Sequence, residues 1–229
     1  MRRLSGTSIP FAQANQARIT DLAGKCRHIA EAPIIVARVA QLGPLAHAGN
    51  VAQAIAFGDA PFIAVPYAAL PQIGNDYRPA LKGKIMLDAC NAVPTRDGAA
   101  IVKEADEQGT GITSQKYLAG TRLVRAFNTL GFNTFERESN RPDPKLAIPI
   151  AGDDAEAVRV AEELVRDAGF EPVLVGGLAD AKKFQQRGGP GYGQPVSAVE
   201  LRKILVLAHY PVSDQFAATG SISPSRTFS

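Results

Sequence analysis

Residues 145–177 read KLAIPIAGDDAEAVRVAEELVRDAGFEPVLVGG. The two ends, 145–153 and 171–177, are short apolar runs bounded by Gly, Asp or Glu, which is how strands are delimited. The stretch between them has another period. Val158, Ala161, Leu164, Val165 and Ala168 fall on one stripe at helical spacing. Asp153 is expected to cap this helix, with Glu156 three residues on completing a pair that resembles a capping box. Gly169 stands where a left-handed residue closes a helix. Strand, helix and strand in this order form a βαβ unit, and such crossovers are almost always right-handed.

Three more runs of the same kind lie upstream: PFIAVPYAALP at 61–71, KIMLDACNAV at 84–93 and RLVRAFNTLGF at 122–132. All five are near-continuous in apolar residues rather than alternating, which suits parallel strands covered on both faces. Helices are expected from Asn50 across 50–60 and at 197–208, where Ser197 and Glu200 form an S-x-x-E box. Region 109–121 reads as a helical turn plus loop. The fold class is therefore α/β, a doubly wound parallel sheet with helices on both faces, in a chain long enough for one ordinary domain.

Several function classes are disfavoured. A net charge of +3 and the lack of a basic run with interleaved aromatics argue against nucleic acid. Cys26 and Cys90 have no metal or redox spacing, so a reducing cytoplasm fits. No apolar run approaches the roughly 20 residues needed to span a bilayer, and the opening MRRLSGTSIP has no apolar signal-peptide core. His28, His47 and His209 are scattered and make no ligand set. No Ser-His-Asp or Cys-His arrangement can be argued from spacing. RGGPGYGQP at 187–195 follows no strand and has no Lys-Ser/Thr pair, so it reads as an ordered surface loop. Lys182 and Lys183 read as solvated charges.

The exits of three strands carry the functional signal. They are Val65-Pro66-Tyr67, Asp88-Ala89-Cys90-Asn91 and Ala126-Phe127-Asn128-Thr129. An Asn or Asp at one strand end is usually turn chemistry, its side chain bonding nearby backbone. Three such exits in consecutive strands point further, because ligands of parallel α/β sheets bind at the carboxyl ends of the strands. Pro66 fixes the backbone as the chain leaves the sheet. Asn91 and Asn128 each offer donors and an acceptor, which suits ribose hydroxyls and a carboxamide. Asp88 is expected to order its turn instead of facing a ligand.

From about Leu42 to Leu205 the chain resembles the NADPH-dependent deazaflavin reductases and their coenzyme-dependent NADP oxidoreductase relatives. The matching stretches, in order, are FIAVPYAALP, GKIMLDACNAV, RLVRAFNTLGF, AIPIAGDDAEA, LVRDAGFEPVLVGGLADAKKF and YGQPVSAVELRKIL, about 160 of 229 residues. The resemblance implies a Rossmann-like NADP-binding domain with a small C-terminal cap over 42–208 and NADP along the carboxyl rim. It places Val65, Pro66, Tyr67, Asn91 and Ala126 near the dinucleotide or its nicotinamide end. It also implies that Arg27 takes the adenosine 2′-phosphate, a contact that suits a guanidinium; a lone surface arginine is the competing reading. The hydride acceptor would be a deazaflavin, a flavin or a similar small molecule, and a homodimer fits the family.

The chain departs from that family at its start. Members open with a strand, a Gly-x-Gly-x-x-Gly turn and a helix whose N-terminus holds the pyrophosphate. Residues 1–25 contain Gly6 and Gly24 but no glycine triplet. Segment 1–41 therefore reads as atypical; the hypothesis is that its first 25 or so residues come from a shifted reading frame, a wrong start or real loss of the first βα unit, and strands next to a missing one should be left unpaired. The polar, Ser-rich tail 209–229 is expected to be disordered. Hydride transfer needs no acid–base pair from the protein, so no catalytic residue is assigned. The sequence leaves two readings: an NADP-dependent oxidoreductase, or a truncated non-catalytic Rossmann-like protein.

Overall fold

The computed structural model describes residues 39–41, 44 and 46–206. Arg27, the segment before residue 39 and the tail after residue 206 lie outside the described residues. Five strands form one sheet in the order β1 (Phe62–Ile63), β2 (Ile85–Asp88), β3 (Arg122–Arg125), β4 (Ala147–Gly152) and β5 (Glu171–Gly176). All five runs expected from the sequence are present. Strands β1, β2 and β3 are parallel, so their carboxyl ends share one edge. Strand β4 is antiparallel to β3, and β5 is parallel to β4. An all-parallel sheet is thus corrected to a mostly parallel one. A strand covered on both faces has the same apolar content in either direction, so composition carries no sign for its polarity.

The sheet is indeed covered on both faces. Met86 of β2 and Leu123 of β3 join a core cluster with Ile55, Tyr67, Leu70, Val102 and Leu118. Their neighbours Leu87 and Val124 join another with Ile148, Ile150, Ala157, Ala161 and Phe170. Alternation across the pleat therefore assigns β2 and β3 each to two cores, while Val173 and Val175 of β5 join a third with Phe184 and Leu201. The first is roofed by α1 (Val51–Phe57), α2 (Leu70–Asp76), α3 (Arg78–Leu81), α5 (Ala99–Gln108) and α6 (Thr110–Tyr117), with the short α4 (Pro94–Asp97) preceding α5. The region read as a turn plus loop is thus the helix α6. It is set off from α5 by Gly109, whose φ of +93° breaks the helical path at a value side chains disfavour. After β3 comes α7 (Phe132–Glu138), which supplies Phe135 to the second core.

The helix between β4 and β5, α8 (Ala155–Asp167), buries Ala157, Val158, Ala161 and Val165 in that second core. Full burial of each valine stabilises the fold by about 1.5–3 kcal/mol. Its cap is Asp154 and not Asp153: the Asp154 carboxylate accepts from Ala157 N–H at 2.8 Å. Asp153 accepts from Leu178 N–H at 2.9 Å instead, and Glu156 pairs with Arg122 at 2.7 Å. Gly169 closes the helix at φ +89°, as expected. The box at Ser197, which opens α9 (Ala198–Ile204), forms, and the structure adds one at Asn50 with Gln53.

The reversal at β4 decides what reaches the functional edge. Strand β5 runs opposite to β1–β3, its last residue Gly176 level with Ala151 of β4 and so with Arg125 of β3. The 3₁₀ segment that follows, Leu178–Phe184, runs back across the sheet face. Leu178 is anchored beside Asp153 at the start, and the Phe184 carbonyl meets Asn128 at the β3 tip. Seven residues at the 3₁₀ rise cover about 14 Å, the length of a four-residue strand. The segment lies directly on α6: a side chain at Gly111 would collide with the Leu178 carbonyl.

Candidate functional site

The tips of β1 and β2 frame an open groove of about 260 Å³, lined by Ala64, Val65 and Pro66 on one side and Ala89, Cys90, Asn91, Val93 and Arg96 on the other. Gln186, delivered by the 3₁₀ segment, completes the wall. Of the residues expected at the rim, Val65, Pro66 and Asn91 line the groove.

Asn128 does not line it. Only 3% of its surface is exposed, and it stands behind Asn91. The Asn91 amide donates to the Asn128 carbonyl at 2.7 Å, and the Asn128 amide donates to the Phe184 carbonyl at 3.2 Å and to Asn91 Oδ1 at 3.4 Å. The two asparagines therefore tie the β2 and β3 exits to the cap. Ala126 is fully buried, its N–H donating to the Asp88 carbonyl at 3.1 Å. Between them Phe127 takes a φ of +59°, a strained value for an aromatic residue. Edge-to-face packing with Phe62, Phe135 and Phe170 holds it there.

Tyr67 turns inward. Its ring is wholly buried, so its side chain cannot meet a ligand in the groove. The hydroxyl meets Thr113 Oγ1 at 2.5 Å, donates to the Thr110 carbonyl at 3.1 Å and accepts from Ser114 at 3.1 Å. Burial pushes its pKa up to about 12. Position 67 follows a strand-ending proline, so sequence alone could not separate an exit facing ligand from one that turns inward.

The acid at the end of β2 orders its turn, as expected. Asp88 Oδ1 accepts from Cys90 N–H at 2.8 Å. Its other oxygen meets a partner the sequence reading missed. Arg125 Nη1 donates to Asp88 Oδ2 at 2.5 Å, both side chains having no exposed surface. Arg125 Nη2 also donates to the Cys90 carbonyl at 2.7 Å. The Cys90 residue is thus gripped at both its N–H and its C=O. Burial lowers the Arg125 pKa, but the Asp88 charge outweighs it and the net direction is up. The β2/β3 register sets Asp88 beside Arg125. An arginine inside the run RLVRAF was the available signal. Burial, with the Asp88 charge beside it, pushes the Cys90 thiol well up, so it is a poor nucleophile. Its sulfur instead accepts from Val65 N–H at 3.4 Å and links the two groove walls.

A second staple, also missed, joins the same walls. The Asp97 side chain is fully buried and accepts from Ala68 N–H at 3.2 Å and Val93 N–H at 2.7 Å. Arg96 caps it with Nη2 at 2.8 Å and sends the same nitrogen to the Asn91 carbonyl at 2.7 Å. Burial raises the Asp97 pKa, but these donors hold it below the usual carboxylate value. Tyr192 is half-buried on the cap loop. That loop is ordered against the β3 exit, with Gly193 N–H donating to the Thr129 carbonyl at 3.0 Å. Among the described residues no cluster of His, Cys, Asp or Glu could hold a metal ion, and no helix is long and apolar enough to cross a membrane.

No protein-family model and no curated protein sequence matches the chain. Solved structures do. A hypothetical protein from Sinorhizobium meliloti superposes with a TM-score of 0.60 at 23% identity, covering 72% of this chain and 78% of that one. A protein from Arthrobacter sp. FB24 named "putative f420 dependent nadp-reductase" superposes at 0.51 and 19% identity, covering 62% of this chain and 68% of that one. The fold is Rossmann-like. At these identities the likeness establishes the fold and leaves the chemistry to the site.

Proposed function

We propose that the protein is an NADP(H)-dependent oxidoreductase that passes hydride between nicotinamide and a deazaflavin, flavin or similar acceptor. The observation that carries this reading is the groove at the β1 and β2 tips, the place where sheets of this kind bind nucleotides. Its volume of about 260 Å³ is just under the ~300 Å³ lower end of small-molecule pockets. It accommodates the nicotinamide end of a dinucleotide, with the rest continuing over the open rim. The name of the Arthrobacter neighbour agrees with this reading.

The bound cofactor would supply the hydride chemistry, and the chain's own residues hold and orient it. Val65 and Pro66 give a rigid apolar wall for a ring face. Asp88, Arg125 and Asp97 fix the opposite wall before any ligand arrives, which lowers the ordering cost of binding. No described residue carries a glycine-rich turn for the pyrophosphate, which favours the second reading, a non-catalytic Rossmann-like protein. Titration with NADPH, followed by nicotinamide fluorescence, separates the two. Saturable binding in the micromolar range is expected; no binding at millimolar cofactor refutes the oxidoreductase.

A further inference from the structure

Of four side-chain amides in or near the cap side of the groove, Asn91, Asn128 and Gln185 each hydrogen-bond to the protein; Asn128 Oδ1 is buried without a partner, as is Gln186 Oε1, but Asn128 is set back from the groove. Asn91 and Asn128 bond each other and the Phe184 carbonyl. Gln185 accepts from Thr110 N–H at 3.3 Å and donates to the Arg187 carbonyl at 2.9 Å. Gln186 differs. It lines the groove, its Oε1 is buried without a partner, and its amide makes no hydrogen bond to any described residue. A buried acceptor left unsatisfied costs free energy, so such a group marks a place where another molecule belongs.

The backbone carrying Gln186 is braced on both sides. Arg187 holds Asp106 of α5 through two contacts, at 3.0 and 2.8 Å. Gln185 is fixed to α6. Gly189 packs so closely on Gln185 and the Lys182 carbonyl that a Cβ there would not fit. An amide on such a support loses little freedom when it binds.

We infer that Gln186 is a specificity-determining residue that pairs, amide to amide, with a planar N–H/C=O edge of the ligand. A carboxamide presents a donor and an acceptor side by side, so this pairing holds whichever way the Gln186 amide is turned. Two groups of the proposed reaction carry that edge: the carboxamide of nicotinamide and the imide of a flavin-type acceptor ring. The inference rests on the proposed function and adds the residue that reads the ligand.

The test compares the unaltered protein with Gln186→Leu and Gln186→Glu. In one arm, dissociation constants are measured for NADP⁺ and for its 3-acetylpyridine analogue, which lacks the amide donor. In the other, NADPH-dependent turnover is measured with a flavin and its N3-methyl derivative. The unaltered protein should prefer the intact edge by about tenfold or more in one of the arms. Gln186→Leu should abolish that preference, and Gln186→Glu, which keeps an acceptor, should retain part of it. The arm that loses discrimination identifies the source of the edge. Equal discrimination in all three proteins overturns the inference and leaves the proposed function standing. No binding of NADP⁺ by the unaltered protein overturns both.

Discussion

Replacing Arg125 with methionine isolates what holds the groove floor. Methionine fills much of the volume of the arginine stem but removes the guanidinium. Asp88 Oδ2 then loses its Arg125 partner, with no exposed surface on its side chain, and the Cys90 carbonyl loses its donor. Breaking one side of a buried ion pair costs about 3–5 kcal/mol. For a chain of this size that lowers Tm by roughly 6–20 °C. A companion Asp88→Asn variant strands the arginine in the same way, so the double variant should cost clearly less than the sum of the two singles. Urea unfolding of all four proteins, with midpoint and slope fitted together, reads this directly. A loss below about 1 kcal/mol for Arg125→Met, or strictly additive costs, would mean that the pair does not support the fold as described.

Asp97→Ala removes the acceptor shared by Ala68, Val93 and Arg96, and should cost about 2–3 kcal/mol and weaken NADPH binding together. The Asp97 pKa is lowered in the fold, so its contribution is complete above about pH 4 and is lost as the pH falls through the folded value. The gap between the two proteins, measured by chemical unfolding, should therefore shrink in acid. Tyr67→Phe removes a hydroxyl with three buried partners and should cost about 1–2 kcal/mol at neutral pH. The raised Tyr67 pKa gives the reverse pH behaviour: its stabilisation is intact below pH 10 and is lost as the pH rises through about 12. The unaltered protein should lose roughly 2–3 kcal/mol relative to the phenylalanine variant across that interval. An unchanged difference by thermal unfolding at pH 9 and pH 12 would refute the assignment.

The positions of the strands were legible because apolar runs between Gly, Pro and Asp are a local signal. The direction of β4 was not, because both faces of that strand are covered and nothing local distinguishes its two senses. The helix caps were legible to within a residue. Asp153 and Asp154 are chemically equal, and only the contact of Asp153 with the distant Leu178 decides which one caps. The rim was half legible. Val65, Pro66 and Asn91 were named from strand exits, whereas Tyr67 and Asn128 turn inward through packing that a linear reading does not contain. Arg125 and Asp97 were missed for the same reason: their partners lie across strands or loops. Gln186 was invisible, since Gln185 beside it has the same side chain and faces the protein.

The backward run of the 3₁₀ segment has an evolutionary corollary. The two walls of the groove come from separate strand exits that the sheet itself immobilises. Gln186, which completes the lining, is supplied by a short contiguous stretch near residues 184–192, laid on afterwards. Exchanging that stretch would recast what the groove accepts while leaving the β-scaffold untouched, so descendants of this architecture could diversify by editing a single loop.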